Sequence, residues 1–420
     1  MKLIFSHFRE KLNFYINFAK KYEPMSEKKY NFNEIIDRNG TNALKIEALK
    51  DRYGRDDLIG LWVADMDFKT GDFITDAISK RCKNGILGYT VPSENYYNSI
   101  IRWIENQYEW VVQKEWLSYI PGIVKGISFC IQCFTKPQDK IIIQPPVYHP
   151  FRLIPARFHR KVVTNPLIEE NGRYRMDFDG LRKLIDRDCK ILILSNPQNP
   201  IGIAWDKETL EELADICYKK YVLVISDEIH ADMCIFGHKH IPFASVSPKA
   251  ALNSITFMSP SKTFNIAGVV TSHSIIPDEG IRKNFYDFLQ AGELDEGSIF
   301  AYISTQAAYE KGLSWKTQML KYIENNILYV DKFFKENIPQ IKVIIPEASF
   351  LVWLDCRELG LKQYELVFLF INWARLALNN GVMFGKEGDG FMRMNVGTPR
   401  PILEQALHQL KEAIDTHLHK

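Results

Sequence analysis

The stretch "SPSKTFNIAG", Ser259 to Gly268, decides the fold, because the apolar run "SITFM" leads straight into a lysine set among small residues. A lysine ending a buried strand must shed a hydrated charge or put it to use. Outward from it, the chain alternates short β-rich runs with amphipathic helical stretches from about residue 120. "KIIIQ" (140–144), "RKVVTN" (160–165), "KILILS" (190–195), "YVLVIS" (221–226) and "SITFMS" (254–259) read as strands. Their apolar residues run on without alternating, the pattern of strands covered on both faces. "DKETLEELADICYKKY" reads as a helix capped by Asp206, with Glu208 in the dipole-favoured first turn. This β–α alternation predicts an α/β fold with a doubly wound, mostly parallel sheet.

Beyond "AGELDEGS" (291–298) a long helical stretch precedes "KVIIP", "SFLVWLD" and "GFMRMNV", which read as strands of a smaller α+β domain. The expected division is an N-terminal extension over 1–30 and the first part of the small domain over 31–85. A large α/β domain over 86–295 and the rest of the small domain over 296–420 follow. A chain of 420 residues is long enough for two such cores. "MKLIFSHFREKLNFYINFAKKYEP" has helical periodicity but no small-residue cleavage site, so it does not read as a secretory signal. Met25 offers a second start, and residues 1–24 are expected to be dispensable for catalysis.

A formal charge of +2 with no basic tract argues against nucleic acid as a partner. No apolar run reaches the roughly 20 residues that span a bilayer, and no membrane partner is expected. Seven cysteines, an odd number in so long a chain, fit a reducing, cytoplasmic compartment better than a disulfide framework. Cys130 and Cys133 read as helix packing.

Tyr148, Asn199, Asp227 and Lys262 fall just beyond the C-terminal ends of predicted strands, where open α/β sheets bind ligands. Each alone has a structural use: Asp227 as a helix cap, Asn199 as a turn former, Tyr148 as a half-buried aromatic. Together they suit one cofactor, pyridoxal 5'-phosphate, held on Lys262 as a Schiff base. Asp227 would keep its pyridine nitrogen protonated, Asn199 would hold the 3-oxygen, and Tyr148 would cover the ring face. "YIPGIVKGISF" places a Pro-Gly turn before a helix, so Gly122, Ile123 and Val124 offer amides to the phosphate, and Ser259 adds a hydroxyl. In "SDEIHADMCIFGHKH" a metal reading of Asp227, His230, Asp232, His238 and His240 has no matching ligand template. His238 and His240 read as polar loop residues.

"SPSKTFNIAG", "SDEIHADM", "NPQNPIG", "PPVYHPF", "LWVADMDF" and "GYT" together resemble the fold-type-I pyridoxal-phosphate enzymes of the class I/II aminotransferase superfamily. The cystathionine β-lyase branch is the nearest in pattern, from about "NFNEIIDRNGTNALK" (31–45) to "FMRMNVGTPR" (391–400). The resemblance implies that Lys262 and Tyr148 take part in catalysis and that Arg393 clamps the substrate α-carboxylate. It implies that Tyr89 reaches across a homodimer interface toward the neighbour's phosphate. His230 stands where typical aminotransferases carry a tyrosine, and Val270 stands where the aspartate type carries an arginine. Both departures favour the lyase branch. The family's early "KWD"-like stretch reads "KIE" (45–47) here.

The expected activity is therefore a carbon–sulfur β-lyase acting on L-cystathionine or a similar cysteine S-conjugate, releasing pyruvate, ammonia and a thiol. The alternatives are an aminotransferase of class I/II and an interaction or regulatory protein that retains the fold. No second arginine beside Arg393 is evident for a side-chain carboxylate.

Overall fold

The computed structural model describes residues 28–170 and 172–418. The expectations for residues 1–24 and for a start at Met25 lie outside the described residues. Seven strands build the large sheet: β1 (Leu117–Ile120), β2 (Lys140–Ile143), β3 (Lys161–Thr164), β4 (Cys189–Ser195), β5 (Leu223–Asp227), β6 (Ser254–Met258) and β7 (Ser272–Ile275). They lie in the order β1-β7-β6-β5-β4-β2-β3. The pairs from β3 through β6 are parallel, and β7 runs antiparallel to both β1 and β6. The sheet is thus mostly parallel, as the apolar runs predict.

The antiparallel pair escapes that reading for a physical reason. β7 is "SHSI", and its Ser272, His273 and Ser274 are all buried. A search for apolar runs cannot find a strand whose buried residues are polar.

Both sheet faces are covered, which explains the continuous apolar strands. Along β4, Ile191 and Ile193 join a core formed by α2 (Ile123–Phe134) and α4 (Glu279–Ala291), while Leu192 and Leu194 join the core under α3 (Lys207–Lys219). Asp206 caps α3 as expected, accepting the Thr209 N–H at 2.7 Å. Gly126 lets α2 close on the sheet, since a Cβ there would stand 2.8 Å from the Phe257 ring. Ahead of α2 in the chain lies α1 (Glu94–Tyr108), and beyond α4 come α5 (Ile299–Lys311), α6 (Leu313–Asn337) and α7 (Arg400–His417). Four antiparallel strands form a second sheet: β8 (Lys342–Ile344), β9 (Leu351–Asp355), β10 (Asn379–Asn380) and β11 (Phe391–Asn395), in the order β8-β9-β11-β10. Among the described residues no helix is long and apolar enough to cross a membrane.

The segment 61–68, "LWVADMDF", is a strap between the two sheets. From the loop after β6, Asn265 Nδ2 donates to Met66 O and Phe68 O at 2.8 Å each, and its Oδ1 accepts the Met66 N–H at 3.0 Å. From β11, Asn395 Nδ2 donates to Val63 O and Asp65 O at 2.6 Å each. Lys45, wholly buried, reaches Asp67 Oδ2 at 2.7 Å, and Arg38 bridges Asp65 and Asp67 at 2.7 and 2.8 Å. The "KIE" stretch therefore contributes Lys45 as a pin for the strap.

Asn265→Ala strips a donor from two backbone carbonyls and an acceptor from one N–H. Unsatisfied buried groups cost roughly 1–3 kcal/mol each before relaxation, so the variant should lose about 2–4 kcal/mol in urea unfolding. A loss within about 0.5 kcal/mol would show that the strap is held elsewhere.

Candidate active site

The C-terminal ends of β4, β5 and β6, the turn before α2 and the strap residue Ala64 enclose a cavity of about 380 Å³. β5 ends in Asp227 and β6 runs on to Lys262. β5 and β6 pair in parallel, with Asp227 opposite Phe257, so the carboxylate and the lysine arrive at one end of the sheet.

Lys262 donates to Ala64 O at 2.5 Å. Burial pulls its amine down to about 8, with Arg393 adding to the fall while Asp65 and Asp227 oppose it. Burial likewise pushes the Asp227 carboxyl up to about 7, against the Ile229 N–H and Lys262, with Glu228 adding to the rise. Asp227 Oδ1 accepts the Ile229 N–H at 3.1 Å. His230 completes this wall. Burial, with Lys262 and Arg393 adding to it, brings its imidazole down to about 3, so the ring is neutral, and its Nδ1 has no partner.

The phosphate end is built by backbone. No side chain caps α2, so the N–H groups of its first turn are left open where Ile123, Val124 and Lys125 line the cavity. Gly122 sits at φ +103°, and its own N–H is already spent on Ile120 O at 2.8 Å and Ser272 Oγ at 3.0 Å. The Gly122 N–H, expected to be open to the phosphate, is therefore already engaged, and Lys125, three residues on, also lines the cavity. Ser259 is similarly engaged, donating to Thr271 O at 2.5 Å and accepting the Ser261 N–H at 3.0 Å. Ser261 and Thr271 also line the cavity and were not singled out from the sequence. Ser261 was legible as the second serine of "SPSK", whereas Thr271 arrives only through tertiary folding.

Tyr148 lies in the wall, burial raising its phenol. Asn199 faces the same space. Its Oδ1 accepts Arg393 Nη1 at 2.9 Å, which leaves Nδ2 outside that bond. Arg393 itself stands behind Asn199 on β11, buried, with Nη2 donating to Asn379 Oδ1 at 2.6 Å and Trp62 O at 3.2 Å. Its Nε has no partner. Tyr89 is not brought to this cavity; its side chain is fully exposed at a separate surface depression beside Ser298. His240 is not a solvated loop residue: it is buried, with Nε2 2.7 Å from Glu228 Oε2. His238 is half-exposed and 3.9 Å from Glu347.

The open helix amides, a buried carboxylate, an amide donor, an aromatic face and a lysine with a lowered pKa fit pyridoxal phosphate group by group. The unpartnered His230 Nδ1 marks polar space left for a ligand.

Comparisons with known proteins agree with that fit. The profile of the family described as aminotransferase class I and II matches residues 56–410. Cystathionine beta-lyase PatB of Bacillus subtilis is 39% identical over 385 residues, covering 91% of this chain and 100% of that protein. Among solved structures, cystalysin from Treponema denticola, which contains a pyridoxal 5'-phosphate cofactor, is similar at a TM-score of 0.90 and 32% identity, covering 93% and 100% of the two chains. The PLP-bound C-S lyase from Staphylococcus hominis is similar at a TM-score of 0.86 and 35% identity, covering 92% and 98%.

Only a neutral amine attacks a carbonyl, so capture of the cofactor aldehyde by the apoprotein should accelerate with pH through a midpoint near 8. Stopped-flow absorbance would record the rate, which should fall roughly tenfold per unit well below that midpoint. A rate that is flat from pH 6 to 9 would refute the assignment of Lys262.

Proposed function

We propose that this chain, which belongs to the class I and II aminotransferase family, is a pyridoxal-phosphate-dependent carbon–sulfur β-lyase that cleaves L-cystathionine or a similar cysteine S-conjugate. The observation that carries this reading is the single cavity wall in which Lys262, Asp227, Asn199 and Tyr148 meet an uncapped helix start. When bound, pyridoxal phosphate supplies an electron sink for the charge left as the α-proton departs. The chain's own residues do the rest. The amides of Ile123, Val124 and Lys125 bind the phosphate, and Asp227 holds a proton at the ring nitrogen. Asn199 Nδ2 binds the ring oxygen, Tyr148 covers one face, and neutral His230 stands beside Asp227 without adding a charge. Lys262 Nζ takes the α-proton, a task suited to an amine near neutrality.

Arg393 receives the α-carboxylate through its unpartnered Nε, sharing Nη1 with Asn199 while Nη2 stays on Asn379 and Trp62 O. Arg38, which grips the strap from outside it, is already committed to Asp65 and Asp67 and leaves no spare fork for a side-chain carboxylate. Val270, lining the phosphate end, brings no charge there. Expulsion of thiolate from Cβ needs no second substrate, and the absence of an arginine at Val270 and of a free second arginine beside Arg393 supports elimination over transamination.

The same reading includes a homodimer, supported by the exposed apolar segment of Ile86, Leu87, Tyr89 and Val91 at 73, 55, 106 and 84%. It includes a small domain of 31–85 with 296–420 working against a large domain of 86–295. It includes a reducing, cytoplasmic setting, with which seven free cysteines agree.

Purified protein should release pyruvate continuously from L-cystathionine with no keto acid present, followed by coupled lactate dehydrogenase. A single stoichiometric burst, revived by adding a keto acid, would hand the chain to the aminotransferases. Arg393→Lys keeps the charge but loses the fork, and should raise KM and lower kcat/KM by about 100-fold, roughly 2.7 kcal/mol. An unchanged KM would remove Arg393 from substrate binding.

A further inference from the structure

The residue after Asp227 is a second buried carboxylate. Glu228 is 1% exposed and does not line the cavity. Its Oε1 accepts Ser226 Oγ–H and the Phe243 N–H at 2.8 Å each, and its Oε2 lies 2.7 Å from His240 Nε2. His240 is packed edge-on against the Tyr108 ring of α1 at 5.3 Å between centroids, and its Nδ1 has no partner. Behind that ring, Tyr108 OH donates to Asp232 Oδ1 at 2.5 Å, where Trp103 Nε1 and Lys316 Nζ also arrive at 3.0 and 3.3 Å. Asp232 Oδ2 accepts from Thr263, the residue after Lys262, at 3.1 Å. None of these groups has a task in the reaction.

We propose that His240 is a positioning residue for the cofactor: by binding Glu228 on the side of the strand end away from the cavity, it keeps the second carboxylate turned from Asp227 and eases the ionisation of Asp227 that the ring nitrogen needs. This rests on the reading that pyridoxal phosphate places its ring nitrogen on Asp227. Successive side chains at a strand end point to opposite sides, so the two carboxylates diverge while their backbones remain adjacent. Like charges that close, both out of water, each make the other harder to ionise. Asp227 faces Lys262, Tyr148 and His230 across the cavity and Glu228 through the chain. Glu228 faces His240, and His240 faces Tyr108, beyond which Asp232 and Lys316 are paired. Of these groups, His240 alone contacts Glu228 with a side chain able to carry positive charge or donate to its outer oxygen. Without it, Oε2 is left buried and bare beside Asp227.

The sign of the effect follows from the Asp227 carboxyl, which sits near 7. Cofactor affinity, which needs the ionised form, should rise with pH through that region. His240→Leu should push the rise to higher pH, and Glu228→Gln should bring it to lower pH.

The test is titration of the apoprotein with pyridoxal phosphate at pH 6.5 and 8.5. His240→Leu should weaken binding by about tenfold at pH 6.5 and by less than about threefold at pH 8.5. In the Glu228→Gln background the same change should cost less than about threefold at both. Equal losses at the two pH values, or no rescue by Glu228→Gln, would overturn the proposal and leave the pair a packing feature. If His240→Leu does not fold, Glu228→Gln alone decides: its affinity must persist to lower pH than that of the unaltered protein, and an unchanged profile overturns the proposal. Absence of binding by the unaltered protein would instead refute the cofactor reading itself.

Discussion

The site depends on one hydrogen bond, from Lys262 Nζ to Ala64 O. A buried ammonium beside a buried carboxylate would ordinarily settle into an ion pair, and a paired lysine is protonated and inert. Here the lysine donates a hydrogen bond to a backbone carbonyl of the strap. That bond stabilises the amine far less selectively than an ion pair would, so burial still brings it down to about 8. The strap must then be rigid, because displacing the Ala64 oxygen by an ångström breaks that hydrogen bond. Asn265, Asn395, Lys45 and Arg38 supply that rigidity from four separate places in the chain.

The same economy governs the opposite wall. Burial holds Asp227 up at about 7 despite the Ile229 N–H and Lys262. In the proposed reading this is ground-state cost carried by the protein until a cationic ring nitrogen arrives. Sites that hold strained or undercompensated charge in the free state are where binding energy is recovered on ligation. The uncapped start of α2 works alike, with backbone donors unsatisfied until an anion reaches them.

Much of this was legible in the residues. Lys262, Asp227, Asn199 and Tyr148 could be placed because strand ends in parallel sheets converge, and apolar runs mark those ends well. What stayed hidden depends on hydrogen bonds that no spacing encodes. Gly122 sits at the expected turn, yet its N–H turns inward to Ser272 on β7, a strand that polar residues concealed. His240 looked like a solvated loop residue because its partner, Glu228, lies 12 positions away. Lys45 and Asp67, 22 positions apart, show the same blindness. Tyr89, expected to face a partner chain, stands fully exposed.

Asn199 and Arg393 join the two halves of the proposed chemistry. Arg393 fixes Asn199 Oδ1 at 2.9 Å, and in that reading the amide's other end is left for the ring oxygen. A carboxylate arriving at Arg393 competes for the guanidinium that orients Asn199, so substrate binding and the hold on the ring oxygen draw on one set of donors. Arg393 also pulls Lys262 down, and a carboxylate that neutralises the arginine removes that influence. In the proposed reading, substrate would therefore change the electrostatics of the lysine from a distance, through a residue that stands behind the cavity wall. An arginine on β11 acting on a lysine beyond β6 requires the two sheets to keep their register, and the strap between them is what both residues touch: Arg393 through Trp62 O and Lys262 through Ala64 O.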